Sequence, residues 1–225
     1  AVQVSIDLVD AATEQAWNDA VFEGGPVLTP VLRLWRYRGP AVVLGRSQQA
    51  LARRARDRGG EGRAGVDLPL IERRAGGGAV LVGPWMLGLS LVLPVDHGWV
   101  ADRPISQSYV DLGRAFTGAM RALGVATAAP ASAAEARPAP AGLAWACFAG
   151  VTAQEVLVDG RKLVGLAQRR HRHGVLFVAG VLVDPVPWVL LAETMLPLVE
   201  PDRADADAGG GAVNAATPAP VPIPL

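Results

Sequence analysis

The 225-residue chain has one lysine, one cysteine and no surplus of charge of either sign. Each scarcity excludes something. A lone cysteine, Cys147, can close no internal disulfide and build no cysteine-based zinc cluster. A formal net charge of zero leaves no basic excess for neutralising polymer phosphates, so a nucleic-acid partner is not expected. Half of the residues are hydrophobic, yet no apolar run approaches the roughly 20 residues that cross a bilayer, so no membrane partner is expected. A basic segment followed by an apolar core, the pattern of a secretory signal, is missing at the N-terminus; the expected location is cytoplasmic. His97, His171 and His173 lack metal-ligand spacing to carboxylates, and no metal site is expected.

Against this background the one lysine stands out. It lies in EVLVDGRKLVGLAQRR, residues 155–170, which reads as a β-hairpin. Residues 155–158 and 163–167 are aliphatic runs, and Asp159-Gly160 between them is a strong two-residue turn signal. The turn delivers Arg161 and Lys162 at the start of the returning strand. Lysine offers a compact ammonium that can approach a developing phosphate or carbonyl charge, where arginine offers a fixed fork. A solvated turn lysine is the ordinary alternative.

Along the chain, Asp10 is the expected N-cap of a helix with Ala12, Ala16, Trp17, Ala20 and Val21 at helical spacing. Strands are expected at 31–37 and 41–44, a helix at 49–58, a mobile glycine-rich loop at 59–65 and an apolar run at 68–72. The next segment, RRAGGGAV, is residues 73–80. Consecutive glycines let backbone N–H groups turn toward an anion with no Cβ in the way, and Arg73 and Arg74 supply fixed donors just ahead of them. The loop is neither a Walker motif nor a dinucleotide turn; a plain flexible hairpin loop would look the same. A strand at 87–94 precedes an amphipathic helix at 105–124, with Tyr109, Leu112, Phe116, Ala119, Met120 and Leu123 in phase and Gly124 as its stop. Residues 126–142, rich in Ala and Pro, are expected to form an exposed connector. A strand at 175–183 and a helix at 185–199 follow. The expected organisation is one domain over residues 1–200, with 201–225 as a low-complexity, disordered tail. Strands joined by hairpins with helices between them predict an α+β fold around a mixed sheet.

The order GRSQ (45–48), RRAGGGAV (73–80), a central amphipathic helix, and CF with EVLVDGRKLVGLAQRR (147–170) resembles the lipoate–protein ligase family. That family shares its class II aminoacyl-synthetase-like fold with the octanoyl transferases and biotin ligases. The resemblance implies that Lys162 holds the α-phosphate and carbonyl oxygens of an acyl-adenylate, with Arg73 or Arg74 on its phosphate. It also implies that Gly76, Gly77 and Gly78 admit the backbone close to acyl chain and nucleotide. Val80, Gly160, Arg161, Gly165 and Ala167 are carried into the substrate site with these motifs. ATP and Mg²⁺ would be used with lipoate or octanoate. The acceptors would be lipoyl domains, as in 2-oxoacid dehydrogenase E2 and the glycine cleavage H protein.

A second reading within the resemblance makes Cys147, fifteen residues before Lys162, the acyl-carrying nucleophile of an octanoyl transferase. Its donor would be acyl carrier protein, with no cofactor. Lys162 would then stabilise the thiolate and shield the oxyanion; a buried apolar cysteine is the ordinary alternative. Gly78 resembles the ligases, since the cysteine branch tends to carry arginine there. Ala75, Val82 and Val178-Ala179 stand where the family usually has polar or histidine side chains, which leaves a non-catalytic binder as a third reading. The basic segment 169–173 reads as a solvated turn or as a docking patch for an acidic lipoyl domain.

Overall fold

The computed structural model describes residues 3–57 and 68–199. The loop expected at 59–65 and the tail expected at 201–225 lie outside the described residues. In chain order the elements are β1 (Gln3–Val9), α1 (Ala11–Ala20), β2 (Val31–Tyr37), β3 (Ala41–Leu44), α2 (Gln49–Asp57), β4 (Leu70–Glu72), β5 (Val80–Val82) and β6 (Met86–Leu93). They continue with α3 (Ile105–Ala122), β7 (Ala129–Pro130), β8 (Val156–Val158), β9 (Arg161–His171), β10 (Gly174–Leu182) and α4 (Trp188–Val199).

Seven strands form one sheet in the order β1-β2-β6-β10-β9-β8-β7, and β4-β3-β5 form a second. Among the described strands, only β1 with β2 and β3 with β4 pair in parallel. A parallel pair cannot be closed by a tight turn, so α1 serves as the crossover between β1 and β2. The aliphatic run of β10 lies at the centre of the large sheet between β6 and β9, where both faces are covered and strict alternation is unnecessary. Leu112 and Phe116 of α3 pack on one face with Val156, Val164 and Phe177. The small sheet packs Val42, Leu44 and Leu81 against Leu191 and Met195 of α4. A third cluster joins the sheets, with Trp35, Tyr37 and Met86 meeting Val43, Val80 and Val82, and Phe148 closing it. The mixed-sheet α+β architecture is as expected.

Four local expectations change. Asp10 occupies the N-cap position of α1, but its side chain makes no capping bond. The buried face of α1 is Ala11, Glu14, Gln15 and Asn18, whereas Ala12, Ala16 and Ala20 point to solvent. Apolar spacing misleads here because the helix turns polar groups inward, onto a site. Leu112 and Phe116 of α3 are buried, but Leu123, just past its end, is 77% exposed. Residues 126–142 are more than a connector: β7 adds an edge strand to β8, and Ala128 and Ala131 are buried.

The hairpin forms as expected. Asp159 and Gly160 have φ of 50° and 74°, the pair of positive values that a type I′ turn requires. Yet β9 runs on to His171 and returns at once into β10, so the segment 169–173 is a strand end and turn in which Arg170 and Arg172 are exposed and Arg169 and the two histidines are half-buried. Strand alternation separates its arginines. Arg169 covers the Phe22 ring at 5.4 Å. Arg170 donates to Ser108 Oγ at 3.0 Å and to the Arg103 carbonyl at 3.2 Å.

Candidate active site

A row of three glycines crosses the large sheet: Gly88 pairs with Gly180, and Gly180 with Gly165. Each missing Cβ is filled by a neighbour. A methyl group at Gly88 would lie 2.2 Å from the Tyr37 hydroxyl, one at Gly180 2.8 Å from Met86 Sδ, and one at Gly165 3.0 Å from the Phe148 ring. The sheet is thinned along this line, and a cleft opens above it. Its walls are largely apolar, with Val43, Val80, Val82, Leu166 and Val178 among them; Arg73, Glu14, Gln15 and Tyr37 supply polar groups. Mostly apolar walls with few convergent polar groups are the ordinary make-up of a small-molecule site.

Cys147 lines this cleft and is a half-buried free thiol. The glycine loop is clamped beside it. Ala79 N–H donates to the Trp145 carbonyl at 2.7 Å, and Cys147 N–H donates back to the Ala79 carbonyl at 2.9 Å. A Cβ at Gly78 would strike the Trp145 carbonyl at 2.4 Å, and one at Gly45 the Gly77 carbonyl at 1.7 Å; neither position admits a side chain. Gly77 has φ of 97°, and its Cβ would lie 2.8 Å from Arg73 Nη2 and 3.7 Å from Cys147 Sγ. Guanidinium, loop and thiol therefore share one small space. Arg73 donates through Nη2 to the Gly78 carbonyl at 3.0 Å, while its buried Nε has no partner. The site thus holds a donor with capacity left for an incoming oxygen.

Lys162 approaches from behind. Its Nζ lies 2.7 Å from Glu155 Oε1, with 5% of each side chain exposed. It also donates to the carbonyl oxygens of Cys147 at 2.8 Å and Gly150 at 3.3 Å, and sits 4.8 Å from the centre of the Phe148 ring. The ammonium is held by a carboxylate and two carbonyls, and it supports the backbone of Cys147 instead of facing the cleft.

The cleft's polar wall is a buried network. Tyr37 donates to Glu14 Oε2 at 2.7 Å and Asn18 to Glu14 Oε1 at 3.3 Å. Ser90 Oγ donates to Asn18 Oδ1 at 2.7 Å and receives a bond from Trp35 Nε1 at 2.9 Å. Burial pushes the Glu14 carboxyl above its usual range, against the opposing pull of Tyr37, Asn18 and Arg73. Burial, then the Glu14 charge, pushes the Tyr37 hydroxyl well above its ordinary value.

Residues 10–212 match the model of the lipoyl protein ligase A/B catalytic domain. The chain belongs to this family. It is 29% identical over 184 residues to octanoyltransferase LipM of Symbiobacterium thermophilum, an overlap of 78% of this chain and 61% of that one. The chain therefore spans less than two thirds of that relative's length. Among solved structures it resembles the T. acidophilum protein Ta0514 with bound lipoic acid, with a TM-score of 0.62, 20% identity, and 85% and 71% of the two chains covered. It also resembles a lipoate-protein ligase A bound with ATP, with a TM-score of 0.58, 20% identity, and 85% and 69% covered. At these identities the likeness establishes the fold, which is the class II synthetase-like architecture expected for the family.

The residues singled out in the sequence separate in space. Arg73, Val80, Cys147, Gly165 and Ala167 line the cleft. Gly77 and Gly78 pack beside Cys147, Lys162 stands behind it, and Arg74 pairs with Asp19 at 3.4 Å, outside the cleft lining. Gly76 has open space about it, and Gly160 and Arg161 lie at the exposed hairpin turn, outside the cleft lining. Sequence reasoning missed Glu14, Tyr37, Met86 and Glu155. Polar residues three or four apart inside a helix, such as Glu14 and Asn18, were the available signal for the first.

Proposed function

We propose that this chain transfers a medium-length acyl group, octanoyl in the first instance, from a thioester donor to a protein lysine through Cys147. The observation that carries the reading is the placement of Cys147 on an apolar-walled cleft beside Gly77 and Arg73. The similarity to octanoyltransferase LipM supports it. In the first step the Cys147 thiolate attacks the donor carbonyl. The tetrahedral intermediate collapses with expulsion of the donor thiolate, which takes up the proton that Cys147 gave up. In the second step the neutral amine of the acceptor lysine attacks the Cys147 thioester, an amide forms, and Cys147 leaves and recovers a proton. Arg73, with its unpartnered Nε, and the amides of Gly77 and Gly78, which donate to no group among the described residues, would stabilise the oxyanion in both steps. Lys162 acts as a positioning residue through the Cys147 carbonyl. The apolar walls would take the acyl chain at about 0.8 kcal/mol per buried CH₂. Acyl carrier protein would be the donor, and lipoyl domains of E2 and H proteins the acceptors.

An ATP-dependent ligase is the second reading, favoured by Gly78 and by the likeness to an ATP-bound ligase fold. Arg73 and the loop amides also suit a phosphate. Ala75 and Val82 are buried and apolar, and the described residues gather no cluster of three acidic, His or Cys side chains; Mg²⁺ would come held by the nucleotide. Intact mass of an apo lipoyl domain separates the readings. Octanoyl added from octanoyl-carrier protein without ATP, and lost in Cys147→Ala, supports the relay. Lipoyl added only with ATP and retained in Cys147→Ala supports the ligase. No shift in either reaction favours a binder.

A further inference from the structure

The acceptor lysine brings a proton that the transfer must remove. A thiol ionises at about pH 8.5, so Cys147 reaches its thiolate without a dedicated base, whereas a lysine ammonium ionises at about pH 10.4 and arrives protonated. Lys162 cannot take that proton, because its own ammonium is closed on Glu155 and on the Cys147 carbonyl. His97, His171 and His173 lie outside the cleft lining. Among the described residues that form the lining, Glu14 is the one carboxylate.

Glu14 is buried on the inward face of α1. Each of its oxygens accepts one bond, Oε2 from the Tyr37 hydroxyl at 2.7 Å and Oε1 from Asn18 at 3.3 Å. The donors behind Asn18 run the same way, from Trp35 to Ser90 and from Ser90 to Asn18. The network therefore points its hydrogens at Glu14 and is complete with that carboxylate ionised. A proton added to Oε2 makes Glu14 the donor and Tyr37 the acceptor, and frees the Tyr37 hydrogen. Tyr37 also lines the cleft, so the pair can pass a hydrogen between the cleft and a buried carboxylate. Burial raises the Glu14 carboxyl above its usual range, the direction that suits a base working near neutral pH. Tyr37, pushed well above its ordinary value, conducts a proton without standing ionised.

Resting on the acyl-transfer reading, we propose that Tyr37 and Glu14 form the proton relay that deprotonates the acceptor lysine. The ammonium gives one proton to the Tyr37 oxygen as the Tyr37 hydrogen passes to Glu14 Oε2, and the freed nitrogen pair bonds to the Cys147 thioester carbon. When the carbon–sulfur bond breaks, the second nitrogen proton goes to the Cys147 sulfur, and amide and thiol form. Glu14 returns its proton through Tyr37 to solvent. An ammonium and a thioester thus become an amide, a thiol and one released proton.

The test follows the second step alone. Protein is first loaded with octanoyl on Cys147 from octanoyl-pantetheine. Loss of the group is then followed by intact mass after addition of either an apo lipoyl domain or hydroxylamine, a weakly basic nucleophile that is unprotonated at neutral pH. Wild type, Glu14→Gln and Tyr37→Phe are compared. Transfer to the lipoyl domain is expected to fall about 100-fold in both variants, the low end for general acid–base catalysis, while hydroxylamine removes the octanoyl group at close to the wild-type rate. A distorted cleft would slow both nucleophiles, so equal losses would give Glu14 and Tyr37 a structural role and overturn the proposal. Lipoyl-domain transfer unchanged in either variant would overturn it too. A wild type that never carries octanoyl on Cys147 would overturn the acyl-transfer reading itself, and the loading step distinguishes that failure from the other two.

Discussion

Lys162 and Glu155 form an ion pair closed at 2.7 Å in which each side chain is 5% exposed. The same ammonium donates to the Cys147 carbonyl, so the chain's one lysine anchors the backbone of its one cysteine. Removing one partner of such a pair leaves an uncompensated buried charge, which costs about 3–5 kcal/mol. Lys162→Met should therefore destabilise the protein by about that amount in denaturant unfolding. Replacing both residues by Met should recover most of the stability and leave Cys147 acylation slow, because the carbonyl anchor is still missing. Acylation at the wild-type rate in the double variant would reduce Lys162 to a stabilising role.

The glycine row sets the room available to the acyl chain. Gly180→Ala places a methyl group against Met86 Sδ, whose flexible side chain must then move into the cleft. Loss of space for one methylene should lower kcat/KM for octanoyl donors about fourfold relative to hexanoyl, from about 0.8 kcal/mol per CH₂. An unchanged chain-length profile would place the acyl chain elsewhere.

Glu14 gives the fold a pH dependence of definite sign. Its carboxyl pKa is raised by burial, so the protonated form suits the folded state, and stability is fully present below the ordinary carboxylate value. That contribution declines as pH rises through the raised value. The melting temperature of Glu14→Gln relative to wild type should therefore improve as pH rises from the ordinary carboxylate range upward. A difference that stays constant across this window would contradict the assignment.

Arg170 belongs to the packing of β9 against α3 and the segment before it. Arg170→Ala is expected to lower the melting temperature and to leave acceptor affinity unchanged. Weaker lipoyl-domain binding at unaltered stability would restore this segment as a docking patch.

Much of the frame was legible because its signals are local. Asp159-Gly160 demands a type I′ turn, the strands carry aliphatic runs, and the GRK and GGG motifs identify the family. Cys147 was nominated by the resemblance to octanoyl transferases, which carry a cysteine at this spacing to the lysine. The polar wall was hidden because Glu14 and Asn18 sit on the helix face that amphipathic reasoning assigns to solvent, and their partners Tyr37 and Ser90 are remote in sequence. The orientation of Lys162 was equally hidden. Glu155 precedes β8 and looks exposed in the sequence, yet it is buried and turned onto the lysine. The glycine row is a property of strand register, which no single strand reveals.

The most direct test of the account is intact mass of the protein after brief exposure to an octanoyl thioester with no acceptor and no ATP, followed by peptide mapping. The account predicts one octanoyl group, on Cys147, released when an apo lipoyl domain is added and absent in Cys147→Ser under thiol-cleaving conditions. A protein that modifies the lipoyl domain yet never carries the acyl group on Cys147 would contradict it.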